Sequence, residues 1–389
     1  MRVIFNETLN RRVRMLDGQW QGVCRASNGF VYFFGGSHSA GVSAPFFRYD
    51  PAKNSVTLLA LDLTRVCGED PARTPTQGKV HSDIFEHRGW LYFGTHLSEY
   101  TPAGQAAYTG GHLVGYEMAT GRFRDYGVVH RNYTNYSAIG LDAPRNRIYF
   151  YATPFSTGDG PHLHLIDLGT GANRDLGLVA PWDGKGHGQP CQHLHVDAQG
   201  DCWFTLRGEH ALFVARGGRI ERHAGVLPGN AEQWYCQRQL DPHRSLAVLP
   251  DGFYIFDSRR FDNSAASAFT LVKPVTTPGF TWSYMAVDDR RIYWNSRSQK
   301  PLPETGRFET RIWSTAWADP AQTIDHGAID DGEGRSPWFV GDLAADGQGK
   351  LFTAGRWYVR PDEEASIGVN RHGLMVAVYF TVLDVSADL

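Results

Sequence analysis

The chain has 389 residues, a formal net charge of −3, 42% hydrophobic and 13% aromatic residues, 43 glycines and 20 prolines. That charge excludes a globally basic nucleic-acid binder, and no window approaches the roughly 18 consecutive apolar residues of a membrane span. Abundant aromatics and glycines without a long helix-forming run point to an all-β protein.

The N-terminus, Met1 to Glu7, has no long apolar stretch of the kind a secretory leader carries. A unit then recurs about seven times, as apolar strand, turn, aromatic strand, loop and third strand. Its second strand is the clearest: Val31-Tyr32-Phe33-Phe34, Leu91-Tyr92-Phe93, Ile148-Tyr149-Phe150, Cys202-Trp203-Phe204, Phe253-Tyr254-Ile255, Ile292-Tyr293-Trp294 and Leu351-Phe352-Thr353. The aromatics Tyr32, Tyr92, Tyr149, Trp203, Tyr254, Tyr293 and Phe352 are 60, 57, 54, 51, 39 and 59 residues apart. A drifting period of this kind is the mark of repeated sheets.

In the second unit, Asp83 to His87 reads as a strand, Arg88-Gly89 as a turn, and Trp90 to Gly94 as the next strand. His112 to Tyr116 forms a third, and Thr120-Gly121 turns into Arg122 to Gly127. The third unit repeats the plan with Ile139 to Asp142, Ile148 to Tyr151, His164 to Asp167 and Asp175 to Gly177. Asp and Gly at the turns suit tight hairpins. Four antiparallel strands per unit predict a seven-bladed β-propeller, a single domain over residues 1–389. Blades five and six are the least regular, which leaves six or eight blades as alternatives. The apolar stretch Leu374 to Leu383 is the last strand, and Arg2-Val3-Ile4-Phe5 is expected to complete its blade and remove a free edge.

Repeat alignment also locates a candidate site. Four or five residues past each marker aromatic stand His96, Thr153, Arg207, Arg259, Arg297 and Arg356, with His38 slightly further along in blade one. A ring of cations attracts an anion, and arginine grips a carboxylate with paired hydrogen bonds. A second ring precedes each inner strand: Trp20, Lys79 and His81, Tyr133 and Tyr136, Gln192 and His193, Arg238, Trp282 and Tyr284, and Trp338. Taken singly, each arginine is also a fit partner for an inter-blade carboxylate, and each aromatic is more often a core wedge. The set as a whole suits an acidic sugar, an acidic poly- or oligosaccharide being the expected partner.

Elimination from a uronic acid needs a base for the C5 proton, an acid for the leaving oxygen, and cations that neutralise the carboxylate. His81, His96 and His112 fall on the predicted face. Gly78-Lys79-Val80-His81-Ser82, Leu91 to His96, Gly110-Gly111-His112-Leu113, Tyr116 and Thr120-Gly121 together resemble the second blade of propeller-type polysaccharide lyases, the ulvan and rhamnosyl-glucuronate lyases. The likeness covers about residues 75 to 210 at motif level. It implies two active-site histidines, matched by His81 and His112, then a tyrosine and an arginine in the next blade, and a structural zinc held by His and Cys. The tyrosine position falls near Thr153, with Tyr151 on the same strand face, and the arginine position is Leu178. Arg207, Arg238 or Arg259 are the candidates to replace it. Oligogalacturonate lyases are a more distant likeness. Their Gln-x-x-His-x-His metal run is not met, because Pro190 precedes Cys191-Gln192-His193-Leu194-His195 where Gln is needed.

Cys191 and His195, four residues apart on one strand face with His193, suit Zn²⁺, and His187 and His243 are the residues to complete four ligands. A buried cysteine beside ordinary histidines is the alternative. No organic cofactor motif is present. The five cysteines, Cys24, Cys67, Cys191, Cys202 and Cys236, are odd in number and lack a CxxC pair, so a reducing, cytoplasmic setting is expected, although a trimmed secreted chain would read the same.

The leading expectation is therefore a lyase that cleaves a uronate-containing glycan by β-elimination. His81, His112, Tyr136 and Tyr151 are its candidates for proton transfer. His96, Arg207, Arg238, Arg259, Arg297, Arg356, Trp282 and Trp338 are its candidates for binding substrate. Two alternatives stand beside it: a non-catalytic propeller that binds an acidic glycan or a protein partner, and a hydrolase or isomerase acting on a small acidic metabolite.

Overall fold

The computed structural model describes residues 1–136, 138–155, 158–181, 193–274, 285–359 and 376–389. Its strands form seven four-stranded antiparallel sheets, and the protein is a seven-bladed β-propeller. Blade two shows the pattern: Phe85–His87, Trp90–Gly94, His112–Glu117 and Phe123–Val128, each paired with the next. Among the described residues no helix is long and apolar enough to cross a membrane.

Local chemistry explains why the hairpins form where they do. In blades four to seven the turn between the first two strands is held by an aspartate that accepts backbone N–H groups. Asp197 takes those of Gln199 and Asp201, Asp241 those of His243 and Arg244, Asp288 those of Arg290 and Arg291, and Asp346 those of Gln348 and Lys350. A short carboxylate side chain substitutes for a backbone acceptor and fixes the reversal. Gly121 (φ 74°) and Gly171 (φ 79°) supply the left-handed residue in the turns before the fourth strands of blades two and three.

The blades group into two compact units. Blades one, six and seven, with Ser98–Thr101, form the first, and blades two to five form the second. In the first unit, Arg2–Thr8 pairs antiparallel with Val376–Asp384, Glu7 opposite Phe380 and Thr8 opposite Tyr379, and so completes blade seven as expected. Phe33 stacks on Phe380 at 4.1 Å within an apolar cluster shared by blades one and seven. In the second unit, Tyr151, Trp203, Phe204, Trp234 and Phe256 belong to one buried cluster across blades three to five. Burial of such aromatic pairs between neighbouring sheets is the main stabilising contribution of a repeat fold.

Blade five departs from the expected register. Its second strand is Arg244–Leu249, which has no aromatic residue, and Tyr254 lies on the third strand, Gly252–Asp257. This accounts for the short spacing of 39 residues to Tyr293. It also moves Arg259, which follows the third strand in the turn Ser258–Arg260, to the end of the blade that holds the first hairpin: Ser258 N donates to His243 O at 3.0 Å.

Candidate functional site

In the second unit, three side chains singled out from sequence meet. The rings of His81 and His96 are 4.7 Å apart, those of His81 and Tyr136 5.0 Å, and those of His96 and Tyr136 5.3 Å. His81 and His96 are buried. Their placement follows from the loops between strands. His96 Nδ1 is hydrogen-bonded to Thr134 Oγ1, and Thr134 exchanges both backbone hydrogen bonds with Thr153, at 2.9 and 2.8 Å. Asn135 ties the same segment down: its Nδ2 donates to the carbonyls of Ala138 and Tyr151 at 2.9 and 3.0 Å, and its own N–H donates to Thr95 O at 3.2 Å. Phe155 closes one side against His96 and Tyr108.

Burial raises the Tyr136 pKa above its ordinary value, and the charge of Arg207 draws it back. The phenol therefore keeps its proton at neutral pH. Arg207 is half-exposed and 3.8 Å from Glu232 Oε1. Imidazoles beside a protonated phenol and a guanidinium can take up a proton, deliver one, and hold an anion.

A second group in this unit links residues just before the first strands of blades two and four with the first strand of blade five, Cys236–Gln239. His193 Nδ1 lies 2.5 Å from Asp83 Oδ2, and Arg238 Nη1 lies 3.4 Å from Asp83 Oδ1 and 3.2 Å from His193 Nδ1. Cys236 Sγ is 3.5 Å from His193 Nε2. Burial works against a charged His193, and Arg238 adds to it, but the charge and hydrogen bond of Asp83 together with Cys236 outweigh them and push the pKa up to about 9. An imidazolium and a guanidinium thus share one carboxylate.

The first unit has its own cation-rich cluster. The Arg356 guanidinium is buried between the rings of Trp20 (5.2 Å) and Trp338 (4.8 Å), and its Nε donates to Asp17 O. Lys79 is fully buried, donates to Ser98 O at 2.6 Å, and lies 3.9 Å over the Tyr100 ring. Arg297 lies over Phe308 and Trp338. Asp17 accepts from His38 N–H at 3.1 Å, and its other oxygen is 3.0 Å from His38 Nδ1. Burial lowers the His38 pKa, opposed by Asp17 and reinforced by Lys79 and Arg356, so His38 is neutral at pH 7. Basic side chains thus outnumber the one carboxylate, Asp17, which Arg356 approaches to 3.8 Å, and an aromatic ring gives Lys79, Arg297 and Arg356 each a face to stack on.

Several sequence-derived candidates lie elsewhere. His112 is engaged by Asp125 Oδ1 of the fourth strand at 2.9 Å. Tyr151 is fully buried in the apolar cluster of blades three to five. Arg259 is paired with its neighbour Asp257 through Nε (3.0 Å) and Nη2 (2.7 Å), at the other end of blade five from the hairpin that joins its second and third strands. Leu178 is exposed at the end of its strand. Cys191, His187 and Trp282 fall outside the described residues. Of the other two expected zinc ligands, His195 Nδ1 bonds Ser245 Oγ at 2.7 Å, while His195 Nε2 and His243 Nδ1 are buried without a hydrogen-bond partner among the described residues. Burial pushes the His195 pKa down to about 4. Imidazole nitrogens buried without a partner among the described residues fit a metal ligand. Sequence reasoning missed Asp17, Tyr100, Asp83 and Thr134. Asp and Thr are common throughout the turns, and nothing in their spacing sets these apart.

No protein-family model matches the chain, and no curated protein does. Solved structures match over nearly the whole length. Streptogramin B lyase gives a TM-score of 0.54 at 12% identity, covering 97% of each chain. Virginiamycin B lyase from Staphylococcus aureus gives 0.53 at 12%, covering 97% of this chain and 98% of that one. Oligogalacturonate lyase from Vibrio parahaemolyticus gives 0.52 at 10%, covering 99% and 98%. At these identities the likeness is one of fold. The same fold also appears in a mitotic checkpoint complex, with a TM-score of 0.50 at 11% identity, so the fold alone does not choose an activity.

Proposed function

We propose that the protein is a lyase that cleaves a uronate-containing poly- or oligosaccharide by β-elimination. The observation that carries this reading is the mutual contact of His81, His96 and Tyr136, with Arg207 close enough to draw on the Tyr136 pKa. His81 takes the C5 proton. The electron pair left behind forms the C4=C5 double bond, and the C4–O bond breaks. Tyr136, kept protonated by burial, gives its proton to the departing oxygen. Arg207 neutralises the carboxylate and so makes C5 acidic. His96, oriented by Thr134, keeps the other two rings in place. Of the two tyrosines considered from sequence, Tyr136 is preferred, since Tyr151 is sealed in apolar surroundings. A zinc ion held by His195 and His243 would brace the first strand of blade four against the first hairpin of blade five and would take no part in the proton transfers.

The test is incubation with ulvan, glucuronan, pectate and gum arabic side chains, followed through the ultraviolet absorbance of the unsaturated uronate. Absence of that product from folded protein on every one of these substrates counts against the proposal. A second reading, an acidic-glycan binder without chemistry, is favoured by the first unit, where Lys79, Arg297 and Arg356 stand among aromatic rings with a neutral, carboxylate-bound His38. Binding of the same glycans without product would select it.

A further inference from the structure

Blade three contains a second cluster that the proposed elimination does not use. His162 and His164 alternate on the third strand, His162–Asp167, so both face the same side, and Asp175 stands opposite His164 on the fourth strand. His130 joins them from the connection between blades two and three. One ligand atom from each of His130, His162, His164 and Asp175 lies within 4.8 Å of all the others. His130 Nδ1 is 2.9 Å from His164 Nε2, His162 Nδ1 is 2.9 Å from Asp175 Oδ2, and His164 Nε2 is 3.9 Å from Asp175 Oδ1. Donors on a tetrahedral zinc at about 2.0–2.1 Å stand about 3.3 Å from one another, so this spacing needs only small adjustments.

The surrounding hydrogen bonds decide which nitrogens carry protons. Asn173 Nδ2 donates to Val129 O at 2.8 Å, which turns its Oδ1 toward His164 Nδ1 at 3.0 Å. His164 must therefore hold its proton on Nδ1, and its Nε2 lone pair faces the cluster. His162 lies between two carboxylates, its Nε2 3.3 Å from Asp159 Oδ1 and its Nδ1 2.9 Å from Asp175 Oδ2, so a metal would displace the proton between Nδ1 and Asp175 while Asp159 keeps hold of Nε2–H. Asp159 is itself held by Tyr133, whose hydroxyl donates to Oδ1 at 2.5 Å. The His164 Nε2 lone pair, the Nδ1 atoms of His130 and His162 and the Asp175 carboxylate thus converge on one point, and carboxylate or amide partners behind the imidazoles are the usual support of metal-bound histidine.

The geometry points to a divalent transition-metal site, for zinc foremost, formed by His130 Nδ1, His162 Nδ1, His164 Nε2 and Asp175. Three imidazoles and one carboxylate in a tetrahedral set suit Zn²⁺ better than Mg²⁺ or Ca²⁺, which prefer oxygen. Its role is structural. His130 opens the segment that continues through Tyr133 to Thr134 and Tyr136, and the Tyr133 ring packs on His130 at 4.1 Å. A metal here pins the loop that carries Thr134 and Tyr136 to the outer half of blade three.

The experiment uses full-length protein stripped with a chelator, then titrated with Zn²⁺ against a chromophoric chelator and with Co²⁺ by visible spectroscopy. His164→Ala, Asp175→Asn and His195→Ala are compared, each checked by circular dichroism, the last to separate this site from the one expected in blade four. Wild type and His195→Ala are expected to bind Zn²⁺ tightly and to give the intense bands of tetrahedral Co²⁺. His164→Ala and Asp175→Asn take up one equivalent of either ion fewer than wild type, with the bands of this site lost and its affinity at least tenfold weaker. Should His164→Ala fail to fold, Asn173→Ala keeps the test alive, with affinity expected to fall about tenfold through the freed imidazole. Unchanged affinity and bands in folded Asp175→Asn and Asn173→Ala, loss of both in His195→Ala alone, or folded wild type that takes up neither ion, overturns the assignment.

Discussion

Asp83 Oδ2 and His193 Nδ1, 110 residues apart in sequence, approach to 2.5 Å and hold a charged imidazole inside the protein. The His193 pKa rises from 6.5 to about 9, so the pair stabilises the fold fully below pH 6.5, and that contribution is lost as pH climbs through about 9. The shift corresponds to a stabilisation on the order of 3 kcal/mol. Denaturant unfolding of wild type should show stability falling between these two pH values. Asp83→Asn should be less stable at pH 6.5 and lack the decline, and identical pH profiles for the two proteins would falsify the assignment.

Proton transfer by His81 and Tyr136 predicts that His81→Gln and Tyr136→Phe each lower kcat by about 10²–10⁴-fold while leaving the fold intact. Tyr151→Phe, a change within an apolar cluster, should leave kcat within a factor of a few. Rates of double-bond formation on an accepted glycan, with thermal melts alongside, decide it. Equal losses at Tyr136 and Tyr151 would shift the acid role away from Tyr136.

Arg207 and Arg259 are similarly exposed, each with a side chain 55% accessible, but they stand in different settings. Arg207→Ala is predicted to raise KM for an acidic oligosaccharide by about tenfold, as expected for one lost charge-assisted contact. Arg259→Ala should leave KM unchanged, because its partner is Asp257 and it follows the third strand rather than the second. Steady-state kinetics on both variants at two salt concentrations is the check, and a KM effect confined to Arg259 would reverse the orientation assigned to blade five.

Arg356 is buried, and its Nη2 lies 3.8 Å from Asp17 Oδ1. Removing it leaves the Asp17 carboxylate in the interior with a neutral His38. Arg356→Ala is predicted to cost about 3–5 kcal/mol. Arg356→Lys keeps the charge but loses the planar face between Trp20 and Trp338, so it should recover only part of that. Chemical denaturation measures both, and a fully stable Arg356→Ala protein would show that the aromatic cage alone holds this region.

Much of the fold was legible because each blade repeats a strand with a paired aromatic and a turn with Asp or Gly. The reading slipped where the signal itself was missing. Arg244–Leu249 has no aromatic, so Tyr254 on the next strand took its place and carried Arg259 into the wrong ring. Trp20, Lys79, Arg297, Arg356 and Trp338 were found in register, yet the carboxylate that organises them, Asp17, was not, since one aspartate in a loop looks like any other. The histidine cluster shows the same limit. His162-x-His164 is visible as alternation on a strand, but His130 arrives from another blade's exit loop and Asp175 from across a hairpin, and only the folded chain brings them together.

The pairing of Arg2–Thr8 with Val376–Asp384 sets an order of events during synthesis. The first strand leaves the ribosome early and must wait for the last one; even Asn10 finds its partner, the Val378 N–H, only 368 residues later. During that interval blade seven is absent and an apolar strand has no neighbour, the state most exposed to pairing with another nascent chain. Blades two to five use only residues already made by then, so they can form before blade seven is complete.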